Sequence, residues 1–384
     1  MINKIFTFFL SCLLFIFIII LINNIFKEGQ KKELITKIKE IKNMEKYYKL
    51  CSNGILLNKE GFKTIKEPKI SIISPIYNKE KYILRFLRSI QNQFFDEIEI
   101  ILIDDCSKDN SIKKIQKFQK EDKRIKLIKH NETKGTLICR NEGSIISKGK
   151  YLIFGDPDDL FSSNIFDYSY KKAEQNSYDI IRYNIYNGEN RINLDYIINK
   201  LKSKPIYQPE LSSYIFYGYG KLLQIDFFIW NKLIKKETFI KTLKKIDSYY
   251  LNQYMIDCED GLINYMLHKT AKSFYFSKNI GYYYILNNES ITLNSKNNFK
   301  KRLKSNFLYF KFIYHYTENN EKEKKIAEYI FFSIYDNNKS YIDELLKEIK
   351  DDLEFYKEII NLYLSCKFIS NKTKTILKKI KFYL

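Results

Sequence analysis

Residues 151–159 read YLIFGDPDD, an apolar run that stops in three carboxylates within four positions, Asp156, Asp158 and Asp159. The run has the length and composition of a buried strand, and the acids mark its end. Like charges crowded together repel, so the group calls for a cation. Hard oxygen ligands at a strand end suit Mg²⁺ or Mn²⁺, ions that keep some waters and complete their shell with substrate phosphates. A nucleotide diphosphate is the natural companion. Taken alone, the same residues also read as a solvated acidic turn, with Asp156 capping the next helix and Pro157 at its start.

Upstream lie three more apolar strand candidates, at 70–74, 98–103 and 125–128. Helical patterns separate them. Ile83, Phe86, Leu87, Ile90 and Phe94 recur at helical spacing and predict one buried face, and further helices are expected at about 111–121 and 135–147. Strands alternating with helices require right-handed crossovers and a mostly parallel sheet covered on both faces. Such a sheet binds ligands beyond the carboxyl ends of its strands. Pro75, Tyr77 and Asn78 follow the first strand, Asp104 and Asp105 end the second, and the three acids end the fourth, so all are expected along one edge. GSIISKGKY (143–151) fails as a phosphate loop because its spacing is wrong, and Gly218 and Gly220 lack the third glycine of a dinucleotide fingerprint.

The chain has 384 residues, 45% hydrophobic and 16% aromatic, which argues for a folded body of enzyme size. Its formal net charge of +21 accompanies a general abundance of Lys, Ile, Asn and Tyr and no nucleic-acid-binding motif, so no nucleic-acid partner is expected. Six scattered cysteines show neither a disulfide framework nor paired metal spacing and read as free thiols. With only three histidines, His130, His268 and His315, a zinc site or a histidine-based triad is not expected.

Residues 5–22 carry no charge, and about 18 helical residues at 1.5 Å each give roughly 27 Å, close to a bilayer's hydrocarbon thickness. The first 26 residues are therefore expected to form a single-pass membrane anchor, retained because no small-residue cleavage site follows. Flanking lysines favour a cytosolic body, whereas a secretory-pathway enzyme of this layout, placed in the endomembranes if the source is eukaryotic, faces a lumen; the orientation stays open. Residues 27–67 read as an amphipathic stem. Residues 296–384 read as a helical basic extension ending in a Lys-rich amphipathic tail.

The segments ISIISPIYNKEKYI (70–83), IEIILIDDCSKDNS (98–111) and GTLICRNEGSIISKGKYLIFGDPDDLF (135–161), followed by WNKLIKKETF (230–239), CEDGLIN (258–264) and YYYILNNESIT (282–292), resemble the family 2 glycosyltransferases of the GT-A fold. The resemblance spans about 68–295, with a nucleotide-sugar half (68–165) and an acceptor half (166–295). It implies an α/β, Rossmann-like fold and an inverting transfer from a nucleotide sugar to a hydroxyl on a glycan, lipid or protein. Pro75, Tyr77, Asn78 and Glu80 would surround the nucleoside. Asp105 would accept a hydrogen bond from the base, with Asp104 its neighbour; a carboxylate offers only acceptors, which favours uracil and a UDP-sugar. The alternative for these two acids is a cap on the helix near Ser111. Asp156 would lie near the ribose, with Asp158 or Asp159 on Mn²⁺ or Mg²⁺ neutralising the departing diphosphate. Pro157 replaces a small residue usual in the family, without changing a ligand.

Glu259 and Asp260 match the family's Glu-Asp pair, in which the aspartate acts as general base on the acceptor hydroxyl. An ordinary acidic helix start is the other reading. Arg140 and Asn141 would meet the nucleotide sugar. Trp230, Asn231 and Lys232 would form the acceptor side, with Trp230 either stacked on a sugar or placed in the core. A polyprenyl-phosphate sugar synthase shares the first half of these motifs but not the acceptor half. A scaffold that has lost catalysis would not need its carboxylates intact.

Overall fold

The computed structural model describes residues 62–187, 205–207, 228–285 and 299–317. The expected anchor, the expected stem up to residue 61 and the Lys-rich tail lie outside these residues. Among the described residues no helix is long and apolar enough to cross a membrane.

Strand β1 (Ile70–Ile76) is the centre of the first half of the sheet. It pairs in parallel with β2 (Ile98–Asp104) on one side and β4 (Tyr151–Phe154) on the other, and β3 (Ile125–Lys129) continues in parallel from β2. Side chains alternate across a strand. Ile70, Ile72 and Ile76 therefore join Ile83, Phe86 and Leu87 of α1 (Ile83–Gln91) and Ile115 and Phe118 of α2 (Ser111–Glu121) in one cluster. Ile73 faces the other way, under α3 (Thr136–Ile146). Gly143 is required there, since a Cβ would lie 2.5 Å from Ile73 Cγ2. Apolar side chains on both faces explain why these strands read as continuous hydrophobic runs.

Beyond β4 the sheet is mixed, which corrects the expectation of a mostly parallel one. β8 (Lys232–Lys235) runs antiparallel to β4 and to β6 (Ile180–Asn187). β9 (Ser273–Tyr284) is parallel to β6 and antiparallel to β5 (Leu160–Phe161) and β7 (Ile206–Tyr207). Parallel order follows from strand–helix–strand repetition, and that repetition ends with β4. Between and after these strands come α4 (Ile165–Asn176), α5 (Lys236–Lys245), α6 (Ser248–Leu251), α7 (Glu259–Thr270) and α8 (Phe299–Tyr316). α7 packs against α3, α5 and α8.

One further correction concerns Phe94, expected on the buried face of α1 but 74% exposed. The helix closes at Asn92, whose N–H returns to Arg88 O, and Phe94 N instead donates to Ser163 O at 3.1 Å. The backbone has left the helical path before Phe94 is reached.

Candidate active site

The carboxyl ends of β1, β2 and β4 lie side by side, as the register Ile76↔Asp104 and Ile73↔Phe154 shows. Pro75 is the penultimate residue of β1, opposite Ile103. Tyr77 is half exposed just beyond it. Asn78 takes a left-handed backbone (φ 50°) and joins the β1 and β2 loops: its N–H donates to Ser107 Oγ at 3.0 Å and its Oδ1 accepts from Lys108 N at 2.8 Å. Glu80 accepts from Asn110 N at 3.0 Å and Asn110 Nδ2 at 3.1 Å, which holds its carboxyl below the usual range. Asn78 and Glu80 thus shape the loop walls through the β2–α2 connection.

The adjacent acids Asp104 and Asp105 are both buried but differently engaged. Asp105 Oδ1 accepts from Lys134 N at 2.7 Å and lies 3.0 Å from His130 Nδ1, while Oδ2 accepts from Gly135 N at 2.9 Å. Among the described residues the Asp104 carboxylate receives only the long contacts from Ser107 N, 3.3 Å to each oxygen. Asp105 organises the loop that leads into α3, where Gly135 has φ 94°. Asp104 retains more acceptor capacity at the strand end.

Arg140 is the hub of the site. It is 4% exposed on α3, and one Nη donates to Asp156 Oδ1 at 2.9 Å. The other donates to Glu259 Oε1 at 3.1 Å and to Asp260 Oδ1. A single guanidinium thus joins the β4 acid motif to the Glu-Asp pair, which stands 120 positions from Arg140 in sequence. The second oxygen of Asp260 accepts from Ile229 N at 3.1 Å. Asn141 follows on α3, with its Oδ1 buried and lacking a hydrogen-bond partner among the described residues.

The electrostatics follow from burial. Glu259 is pushed up to about 8, chiefly by burial and then by the adjacent Asp260, against the pull of Arg140. Asp156 is pushed up to about 6 by burial, opposed by Arg140 and reinforced by Asp260 and Asp158. Asp159 is raised further, by burial and then by Asp158 and Asp156. Excess negative charge is thus concentrated where the second half of the sheet meets the first, a setting that favours added positive charge.

The three acids of the motif point in different directions. Asp156 faces Arg140. Asp158 Oδ2 meets Lys79 Nζ at 2.7 Å, and its carbonyl accepts from Arg85 at 2.6 Å. Asp159 Oδ1 accepts from Ile285 N at 2.8 Å. The Tyr282 hydroxyl accepts from Asp156 N at 2.9 Å and bonds the Asp159 carboxylate. Asp156 and Asp158 are thus each paired with a cation of the chain, Arg140 and Lys79, contacts that a divalent ion on their hard oxygens would have to displace, while Asp159 supports the loop. Lys79, Arg85 and Tyr282 were not singled out in sequence. Lys79 beside Asn78 carried a weak signal, and Tyr282 sat unremarked within YYYILNN.

On the expected acceptor side, Trp230 is 4% exposed and stacks on Phe228, Tyr282 and Tyr284 with ring centroids 4.7, 4.5 and 5.8 Å away. Of its two readings, the core is the one realised. Asn231 and Lys232 are also fully buried, with Lys232 Nζ on Phe228 O and, at 2.9 Å, on Asn231 Oδ1. All three buttress the segment whose Ile229 N–H holds Asp260.

A parallel half-sheet with carboxylates at its strand ends, extended by an antiparallel half that delivers a Glu-Asp pair beside them, defines a GT-A-like α/β fold. Residues 71–234 match the family model described as "Glycosyl transferase family 2". The curated relative GlyG, a glycosyltransferase of Streptococcus pneumoniae, is 29% identical over 178 residues, 44% of this chain and 58% of its own length. EpsJ of Bacillus subtilis, described as an uncharacterized glycosyltransferase, is 31% identical over 45% of this chain and 49% of its own length. The chain thus spans about half the length of these relatives. A Campylobacter jejuni protein named GalNAc(5)-diNAcBac-PP-undecaprenol beta-1,3-glucosyltransferase is 27% identical over 60% of this chain and 69% of its length. Among solved structures, S. aureus TarS 1–349 in complex with UDP-GlcNAc superposes with a TM-score of 0.55 at 19% identity, covering 76% of this chain and 79% of that one. At that identity the likeness concerns the fold.

Proposed function

We propose that the chain transfers a hexosyl or N-acetylhexosaminyl group from a UDP-sugar to a hydroxyl acceptor, with inversion at the anomeric carbon. The carrying observation is the Arg140 bridge between Asp156 and Asp260, which supports a single site for donor and acceptor. In this reading Asp104 meets the base, since Asp105 is occupied by its own loop. Asp156 and Asp158 would hold Mn²⁺ or Mg²⁺, an ion that would supply positive charge against the departing diphosphate. Asp260 takes the proton of the acceptor hydroxyl as it attacks from the face opposite the leaving group. Arg140 orients that carboxylate and keeps Glu259 beside it.

The uridine donor is supported by the UDP and UDP-GlcNAc complexes of the TarS structures. A lipid-linked glycan acceptor is supported by the name of the Campylobacter relative. A membrane anchor at residues 5–22 would hold the body beside such an acceptor.

The test is nucleotide diphosphate release by the full-length chain in detergent, with a panel of nucleotide sugars and Mn²⁺ or Mg²⁺. Release from one UDP-sugar, abolished by chelator and in Asp158→Ala, is expected. Asp260→Asn should keep UDP affinity and lose about 10²- to 10⁴-fold in transfer. Absence of both release and nucleotide binding would reject this reading in favour of a scaffold.

A further inference from the structure

Asp105, His130 and Cys139 are brought together by topology rather than by spacing. Asp105 follows β2, His130 follows the neighbouring strand β3, and Cys139 lies in the first turns of α3, which starts at the same sheet edge. Their ligand atoms all lie within 4.8 Å of one another. His130 Nδ1 is 3.0 Å from Asp105 Oδ1 and 3.9 Å from Cys139 Sγ. Asp105 and Cys139 are buried, and only 5% of the His130 side chain is exposed. Among the described residues this is the group of His, Cys and acidic side chains whose ligand atoms converge in this way; the acids of residues 156–159 do not.

The second ring nitrogen narrows the chemistry. His130 Nε2 lies 2.6 Å from Glu142 Oε2. A neutral imidazole has a single N–H. With that proton donated to Glu142, the Nδ1 lone pair would face the Asp105 carboxylate at 3.0 Å, a repulsive contact. A second proton or a metal ion removes the conflict. Tetrahedral zinc, with bonds of about 2.0–2.1 Å to nitrogen and oxygen and about 2.3 Å to sulfur, separates its N and O ligands by about 3.3 Å and its N and S ligands by about 3.6 Å. The observed separations of 3.0 and 3.9 Å lie within a few tenths of an ångström of those values. Glu142 then takes the place of the carboxylate that commonly orients a metal-bound histidine from behind. The backbone N–H groups of Lys134 and Gly135 orient Asp105 while using one lone pair on each of its oxygens.

We propose that Asp105 Oδ1, His130 Nδ1 and Cys139 Sγ bind one zinc-class divalent ion, with Glu142 as the supporting carboxylate. The site is chemically distinct from the hard-oxygen pair Asp156 and Asp158, since thiolate and imidazole select a borderline-soft metal. Binding replaces the thiol S–H bond by a sulfur–metal bond and releases that proton to solvent, while Nε2 keeps its proton on Glu142. Burial and the nearby Asp105 and Glu142 otherwise hold the Cys139 thiol protonated, so the thiolate depends on the ion. The bound ion pins residues 130–135 to the end of β2, beside Asp104. The absence of paired Cys or His spacing in the sequence hid the site, because its ligands come from three elements.

The experiment is a cobalt titration of the metal-free, full-length chain, followed by absorbance. One equivalent of Co²⁺ should produce a thiolate-to-cobalt charge-transfer band that Zn²⁺ displaces. The band should vanish in Cys139→Ala and persist when Cys106 and Cys258, the other described thiols, are both replaced by serine. Glu142→Gln should fold with its three ligands intact and bind cobalt about 10- to 100-fold more weakly. A chain without the band, or with the same band in Cys139→Ala, overturns the proposal. None of these readouts requires sugar transfer, so failure here and failure of the transferase reading are separable.

Discussion

Glu259 and Asp260 are consecutive residues that share one guanidinium, yet their surroundings divide their roles. Asp260 has an oxygen on Arg140 and the other on the Ile229 N–H, a geometry that fixes the carboxylate in one orientation. Such fixing suits a general base that must meet an acceptor hydroxyl repeatedly in one direction. Glu259 sits deeper in unfavourable charge, and burial with its aspartate neighbour pushes it up to about 8 from an ordinary 4.5. A carboxyl raised on folding binds protons more tightly in the native state. Its stabilising contribution is therefore complete below about pH 4.5 and is lost as pH rises through about 8. Glu259→Gln, neutral throughout, should remove that dependence. Denaturant unfolding between pH 5 and pH 8.5 should show the variant gaining stability relative to wild type as pH rises; a constant difference would mean that Glu259 is charged throughout.

At the scale of elements, α8 reaches the same pair from outside the family-matched segment. Arg302 pairs with Asp257 at 2.9 Å, Ser305 Oγ accepts from Ile256 N at 3.1 Å, and Asn306 Oδ1 accepts from Cys258 Sγ at 2.8 Å. These contacts grip the three residues before α7, and Cys258 there has a left-handed backbone at φ 65°, unfavourable for a side chain with a Cβ. α8 is thus a positioning element for Asp260. Arg302→Ala and Asn306→Ala should each lower kcat about tenfold while leaving the donor KM unchanged, and Arg302→Lys should recover part of the loss. An equal effect on donor KM would assign α8 to general stability. The sequence carried none of this, because helical periodicity identifies a helix without saying which loop it holds. By contrast, α2 and β4 were legible to the residue and β1 and β2 nearly so, since apolar runs buried on both faces and clear punctuation are local signals. Phe94 shows the limit: its spacing fits α1, but a hydrogen bond to Ser163 O decides the chain's path.

Across the whole molecule, the two halves of the sheet present opposing acids to each other, and Arg140 is the cation between them. Sequence placed Arg140 near the nucleotide sugar; its contacts with Glu259 and Asp260 depend on a tertiary approach over 120 positions that no local pattern encodes. Buried ion pairs add little over well-packed apolar groups, but removing one partner strands the other. Arg140→Met keeps most of the side-chain volume and leaves Asp156, Glu259 and Asp260 facing one another without a counter-charge. At neutral pH this should cost about 3–5 kcal/mol, the usual penalty for an uncompensated buried charge. The sign of the pH dependence follows from the surviving carboxyls. Asp156 and Glu259 already lie above their ordinary values, chiefly through burial, and losing the opposing guanidinium raises them further. The native variant then binds more protons than its unfolded chain, so its deficit should shrink as pH falls toward 5 and grow as pH rises toward 8. Unfolding curves at those two values, with wild type alongside, make the comparison. A deficit of equal size at both would mean that Arg140 acts through packing, and the electrostatic account of how the halves are joined would fail.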